Sequence, residues 1–124
     1  MGIDYSSQIG KKLTTKGYQK ICVHIESIMY IQCHGHLATI FLNDERKVDE
    51  VKSLKSFEED LYEMGFIRIS RNTIVNGKYI TGTNTIRGKR IVCLEDIVLN
   101  VSKRRLGFLN KQLFKLGNKT SYLS

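Results

Sequence analysis

The chain has 124 residues, the length of one ordinary domain, and its 41% hydrophobic and 26% charged residues lie close to the soluble globular average. This argues against a two-lobed enzyme, a disordered chain and a membrane protein. The formal charge of +8 is unevenly held: residues 1–64 carry 8 basic and 10 acidic side chains, whereas residues 65–124 carry 12 basic ones against Glu95 and Asp96 alone. A second half of net +10 attracts polyanions, nucleic acid first and an anionic membrane surface second.

Proline is absent, so turns fall to Gly, Asn and Asp. Cys22, Cys33 and Cys93 are odd in number and widely spaced, which argues against a disulfide framework and fits a reducing cytoplasm. The start lacks the apolar run of a signal peptide, and no stretch approaches the ~20 apolar residues of a membrane helix.

In chain order, residues 1–16 read as a polar, aperiodic arm or linker, 17–116 as the domain and 117–124 as a tail. Residues 20–33 give two Ile- and Val-rich strands parted at Glu26-Ser27. Residues 36–43 give a third strand, and 46–52 a charged fourth that pairs back across Asn43-Asp44. The period then becomes helical: Ser53 is a fitting N-cap, Leu54, Phe57, Leu61 and Met64 form the apolar stripe, and Gly65 ends the helix. Its acidic face, with Glu58, Glu59 and Asp60, is expected to point away from any polyanion. Residues 66–70, 73–75, 78–83, 90–95 and 97–102 follow as hairpin strands turned at Asn76-Gly77 and Arg87-Gly88. Leu106, Leu109, Leu113 and Leu116 then mark a short closing helix. The expected fold is mainly β: short antiparallel sheets with one central and one C-terminal helix.

Of the residues able to carry chemistry, Cys33-His34-Gly35-His36 could ligate zinc or copper, but a structural site needs four ligands and no second close pair exists. A Cys–His nucleophile is disfavoured because neighbouring strand residues point to opposite faces. Asp49, Glu50, Glu58, Glu59, Asp60 and Glu63 read as surface charge rather than an acid–base pair. No catalytic residue, metal or cofactor is therefore assigned. The basic residues are better placed. Arg68 lies inside a strand and reads as structural, whereas Arg71-Asn72 and Lys103-Arg104-Arg105 lie at junctions, where a scaffold presents binding groups. Arg suits guanine O6/N7 and Asn suits adenine, while Lys chiefly neutralises phosphate. Cations at a helix start oppose the macrodipole, so the cluster at 103–105 gains nothing structurally from its position.

Phe66-Ile67-Arg68-Ile69-Ser70-Arg71-Asn72-Thr73-Ile74-Val75-Asn76 closely resembles the F-x-R-x-H-R-S-x-x-V-N signature of LytTR-type DNA-binding domains. The segments 28–43, 53–61 and 97–105 resemble that family's other motifs in order and spacing, from about residue 18 to 114. The resemblance implies a bacterial response-regulator effector domain that reads double-stranded DNA with loops in successive major grooves, two copies on direct repeats. Carried over by position, His34, His36, Arg71 and Arg104 would contact bases, and Asn72, Lys103 and Arg105 the backbone. Ser70 stands where the family usually has His, Asn72 where it has Ser, and Gln32 where it has Glu, which alters the polar contacts at that corner. With only 16 residues ahead of the fold, the chain is expected to be a stand-alone regulator or an excised effector domain.

The leading expectation is thus a sequence-specific DNA-binding transcriptional regulator in the cytoplasm, with no membrane and no small-molecule substrate. The alternatives are a non-specific or RNA-binding basic β-domain and a metal-dependent enzyme using residues 33–36. RNA readers normally expose aromatics for base stacking, whereas the Tyr and Phe residues here fall in apolar patterns.

Overall fold

The structure, a computed structural model, describes residues 4–5, 12–14 and 22–115, with side chains from His24 onward. Tyr18, the Cys22 side chain, Leu116 and the tail at 117–124 lie outside the described residues. The described residues form three sheets. Within the expected arm, β1 (Asp4–Tyr5) and β2 (Lys12–Thr14) are strands that pair in series with β3 (Cys22–His24).

The central sheet has five antiparallel strands: β4 (Ile28–His34), β5 (Leu37–Leu42), β6 (Lys47–Val51), β7 (Phe66–Ser70) and β8 (Thr73–Asn76), in the order β6-β5-β4-β8-β7. The third sheet is a meander of β9 (Gly82–Ile86), β10 (Lys89–Leu94) and β11 (Ile97–Asn100). Helix α1 (Leu54–Leu61) follows β6, and α2 (Leu106–Lys115) closes the described chain.

The central sheet is covered on both faces, and strand alternation decides which residue goes where. Ile31, Ile40, Phe66 and Ile74 face α1, whose Leu54, Phe57 and Leu61 complete one core. Tyr30, Ile67, Ile69 and Val75 face the opposite way, against Val92, Leu94 and Leu99 of the meander and Leu109 and Leu113 of α2. Helix α1 starts where the sequence places it, with Ser53 Oγ accepting from Ser56 N–H at 3.1 Å. A 3-10 turn at Tyr62–Met64 follows, and the chain leaves it through Gly65 at φ 84, a conformation that favours glycine.

Three local expectations are corrected. The strand expected at 78–83 is instead a 3-10 turn, Gly77–Tyr79, followed by β9 from Gly82. Buried Asn76 forms that turn by accepting from Lys78 N–H, and its amide donates to the Ile28 carbonyl at 2.9 Å. In β6, Glu50 takes the inner position while Val51 is 79% exposed, so Glu50 is not a solvated surface charge. The register Ala38↔Glu50 and Ile40↔Val48 fixes that choice. Third, the acidic side of α1 does not wholly face away from the basic loops, because Glu58 is turned toward them.

Candidate nucleic-acid interface

Antiparallel connectivity gathers the basic junctions at one end of the molecule. The β4–β5 turn, residues 34–36, and the β7–β8 turn, residues 71–72, emerge at the same end because β4 and β8 pair through Gln32↔Thr73. Cys33 N–H donates to the Asn72 carbonyl at 2.9 Å, tying the two turns together.

The third junction is docked by an irregularity. Between Arg68 and Ser70 the β7–β8 register slips, leaving Ile69 as an extra residue in edge strand β7. The Ile69 carbonyl accepts from Ser102 N–H at 2.8 Å, just ahead of the 3-10 turn Lys103–Arg105. An open cleft of about 700 Å³ results, lined by Ser70, Arg71, Asn72, Arg104, Arg105 and Phe108. The structure thus brings Arg71, Asn72, Arg104 and Arg105 together. Lys103 flanks the cleft, and His34 and His36 stand exposed on the neighbouring turn, where Gly35 has φ 66.

The arginines divide into two kinds. Arg68, on the α1 face of β7, donates to the carbonyls of Ser70 at 3.1 Å and Arg71 at 2.7 Å, and to Glu58 Oε1 at 3.1 Å. It shapes the 71–72 turn from beneath. The other Glu58 oxygen takes Arg105 at 3.5 Å. One carboxylate therefore links the second and third junctions. Sequence reasoning assigned Arg68 a structural role but missed Glu58; the only signal available was an acidic helix residue beside a strand arginine. By contrast, Arg71, Lys103 and Arg104 are exposed and form no ion pair with another described residue. Their charge is left for an outside partner.

Asn72 is held by its own turn. Its Oδ1 accepts from Ser70 Oγ at 2.8 Å and from Thr73 Oγ1 at 3.0 Å. Bidentate adenine reading needs that oxygen free to accept, which leaves the amide NH₂ as a donor to phosphate or sugar. The two departures from the family signature here, Ser70 and Asn72, thus bond to each other.

Cys33 lies on the α1 face, its Sγ 3.9 Å from the Lys52 carbonyl, away from the exposed imidazoles. Burial pushes its thiol up, outweighing the opposing pull of Arg68 and the Leu54 backbone. Among the described residues no three His, Cys, Asp or Glu side chains converge as metal ligands. Nor is any described helix long and apolar enough to cross a membrane.

Fold and cleft define a class: a β scaffold that presents arginines and a lysine, without ion pairs to other described residues, on turns at one end. The chain belongs to the LytTr DNA-binding domain family, whose profile matches residues 18–114. Among solved structures it is similar to the LytTr DNA-binding domain of a Bacillus cereus protein named as a methyl-accepting/DNA response regulator. The two align with a TM-score of 0.71 and 23% identity over 82% of this chain and 95% of that one. A search of curated proteins returned no match.

Proposed function

We propose that this DNA-binding domain is a sequence-specific transcriptional regulator acting on double-stranded DNA in the cytoplasm, as the effector part of a response regulator or as a regulator by itself. Arg71 and Arg104 read base edges from the shared cleft, with His34 and His36 reading from the adjacent turn. Asn72, Lys103 and Arg105 hold phosphate or sugar. The observation that carries the reading is the contrast between Arg68 and Arg105, neutralised by Glu58, and the exposed Arg71 and Arg104. Two copies on direct repeats, one helical turn apart, would place successive loops on one side of the duplex.

The reading assigns no catalysis. Burial pushes the Cys33 thiol up, and Glu58, the carboxylate beside the cleft, is engaged by Arg68 and Arg105. An RNA-stacking role is disfavoured because the central-sheet rings Tyr30 and Phe41 stack on each other at 4.3 Å, and the exposed Tyr62 and Phe114 lie on helical segments rather than on a sheet face.

The test is selection of bound sites from random duplex DNA, followed by Arg71→Ala and Arg104→Ala. Each should cost about 1–3 kcal/mol on the selected site and far less on scrambled DNA. Equal losses on both duplexes would make these residues backbone clamps and the protein a non-specific binder. A 2:1 protein–duplex stoichiometry that falls to 1:1 when one repeat is scrambled would support the direct-repeat arrangement.

A further inference from the structure

From Phe66 to Leu94 the chain contains no Asp or Glu, yet it carries Arg68, Arg71, Lys78, Arg87, Lys89 and Arg90. Arg68 and Arg71 belong to the cleft, and Lys78 lies over the Tyr79 ring. The remaining basic residues fall on the β9–β10 hairpin. Register places that hairpin beside the third junction: Ile91 pairs with Asn100, and the Arg90 carbonyl accepts from Val101 N–H at 2.9 Å. Beyond that bond β10 has no partner in β11, and β9 and β10 run on as a two-stranded arm closed by Ile86↔Lys89. At about 3.3 Å per residue the tip, three residues on from Ile91, stands roughly 10 Å past the end of β11. It therefore projects from the end of the molecule that carries Lys103, Arg104 and Arg105.

The tip is built in an unfavourable way. A two-residue turn with Arg87 at φ 53 and Gly88 at φ 79 has both central residues left-handed, the geometry for which Asn-Gly is the preferred pair. Arginine there lacks the short polar side chain that eases this backbone region. Arg87, Lys89 and the 49%-exposed Ile86 are all at the surface, so packing does not account for the choice. Two exposed cations at the arm's tip, aligned with the basic loops and with no carboxylate anywhere in the hairpin, suit a ligand of opposite charge.

We infer that the β9–β10 tip is a further DNA-contact site, in which Arg87 and Lys89 hold backbone phosphates flanking the segment read by the cleft. The inference rests on the DNA-binding reading above and extends its footprint on the Lys103–Arg105 side. Contact at the tip is to phosphate because Arg87 and Lys89 lie outside the cleft whose side chains are proposed to meet bases.

Arg87→Asn is the discriminating change, since it removes the charge while supplying a side chain that suits the turn. With the full chain and a random-sequence duplex as probe, Arg87→Asn should weaken binding and lower the slope of log K against log salt by about 0.9, the Arg87→Asn/Lys89→Ala pair by about 1.8. Selected and scrambled sites should lose equally. The melting temperature of Arg87→Asn should stay level or rise, and Arg87→Lys should keep the slope. An unchanged slope in the double variant overturns the inference, leaving the tip as solubility charge. A fall in melting temperature together with affinity also overturns it, making Arg87 part of the scaffold. If the unaltered chain binds no duplex, the DNA-binding reading fails first and the inference with it.

Discussion

The two ends of the molecule are made of the same kind of tight connections and carry opposite charge. At one end stand residues 34–36, 71–72, 87–88 and Lys103–Arg105; at the other stand the β5–β6 turn with Asp44 and Glu45 and the β10–β11 turn with Glu95 and Asp96. The two acidic turns meet around a groove of about 590 Å³ above Tyr30 and Phe41. Left-handed backbone serves both ends: Glu45 at φ 72 and Glu95 at φ 53, against Gly35 at φ 66 and Arg87 at φ 53. Turn geometry therefore does not distinguish them. What differs is where the compensating partners lie. Asp44 is answered within its own turn by Arg46 at 2.7 Å, while Glu58 answers Arg68 and Arg105 and leaves Arg71, Lys103 and Arg104 unanswered. A charged surface becomes a binding surface when its neutralising groups are used up underneath it. An acidic end repels a polyanion, and under the proposed function this would turn the basic end toward DNA.

The largest blow to this arrangement should come from Glu58→Ala. It releases Arg105 and removes the anchor of Arg68, loosening two junctions at once. Stability should drop by about 1–3 kcal/mol, since the partly buried Arg68 loses a charged hydrogen-bond partner. Affinity for a selected site should fall further than for scrambled DNA; denaturant titration and binding isotherms check both. Combining Glu58→Ala with Arg71→Ala should be non-additive in binding, because the first already disturbs the turn that aims the second.

Lys103→Ala should have a milder effect, weakening binding to all duplexes alike and flattening the salt slope by about one unit. A sequence-dependent loss would move Lys103 from the backbone to the bases. Next in size is the 34–36 turn. His34 and His36 are exposed there, and His34→Ala/His36→Ala should weaken binding to a selected site a few-fold, and binding to scrambled DNA less. An unchanged affinity for the selected site would take this turn out of the interface.

The smallest effect belongs to the acidic end. The backbone N–H of Arg46 first, against the opposing cost of desolvation and with the Arg46 guanidinium helping, holds the Asp44 carboxyl below its ordinary value of 3.8. A depressed folded value means that the stabilisation is present above the unfolded pKa and is lost as pH falls through the folded one. Urea midpoints measured downward from pH 5 should therefore decline slightly less for Asp44→Asn than for the unaltered chain. DNA affinity at neutral pH should be nearly the same in both.

Much of the fold was legible because it is set locally. The Ser53 cap, the stripe of Leu54, Phe57 and Leu61, Gly65 as helix stop and Arg87-Gly88 as a hairpin turn depend on neighbours in sequence. What escaped depends on distant partners. The turn at Gly77–Tyr79 is fixed by Asn76 reaching Ile28 and by the Tyr79 hydroxyl donating to the Glu26 carbonyl. Glu50 turns inward because its strand's register is set by β5. At the site, residues 71–72 and 103–105 could be named from their junction positions, but the Glu58 link could not. It joins positions ten and 47 residues apart in sequence, Arg68 and Arg105, through a helix whose facing the sequence leaves open.

The slip at Ile69 has a further consequence. The aim of the Arg71 turn and the docking of the Lys103–Arg105 turn both hang on one supernumerary residue in β7. Ile69 is fully buried, so the position demands an aliphatic side chain, and the residue count matters as well: deleting the residue should restore a regular ladder and shift the two turns relative to each other. If the loops read bases as proposed, their side chains are the alphabet for any redesign of the target sequence. The count of residues in β7 is the frame in which they are spelled.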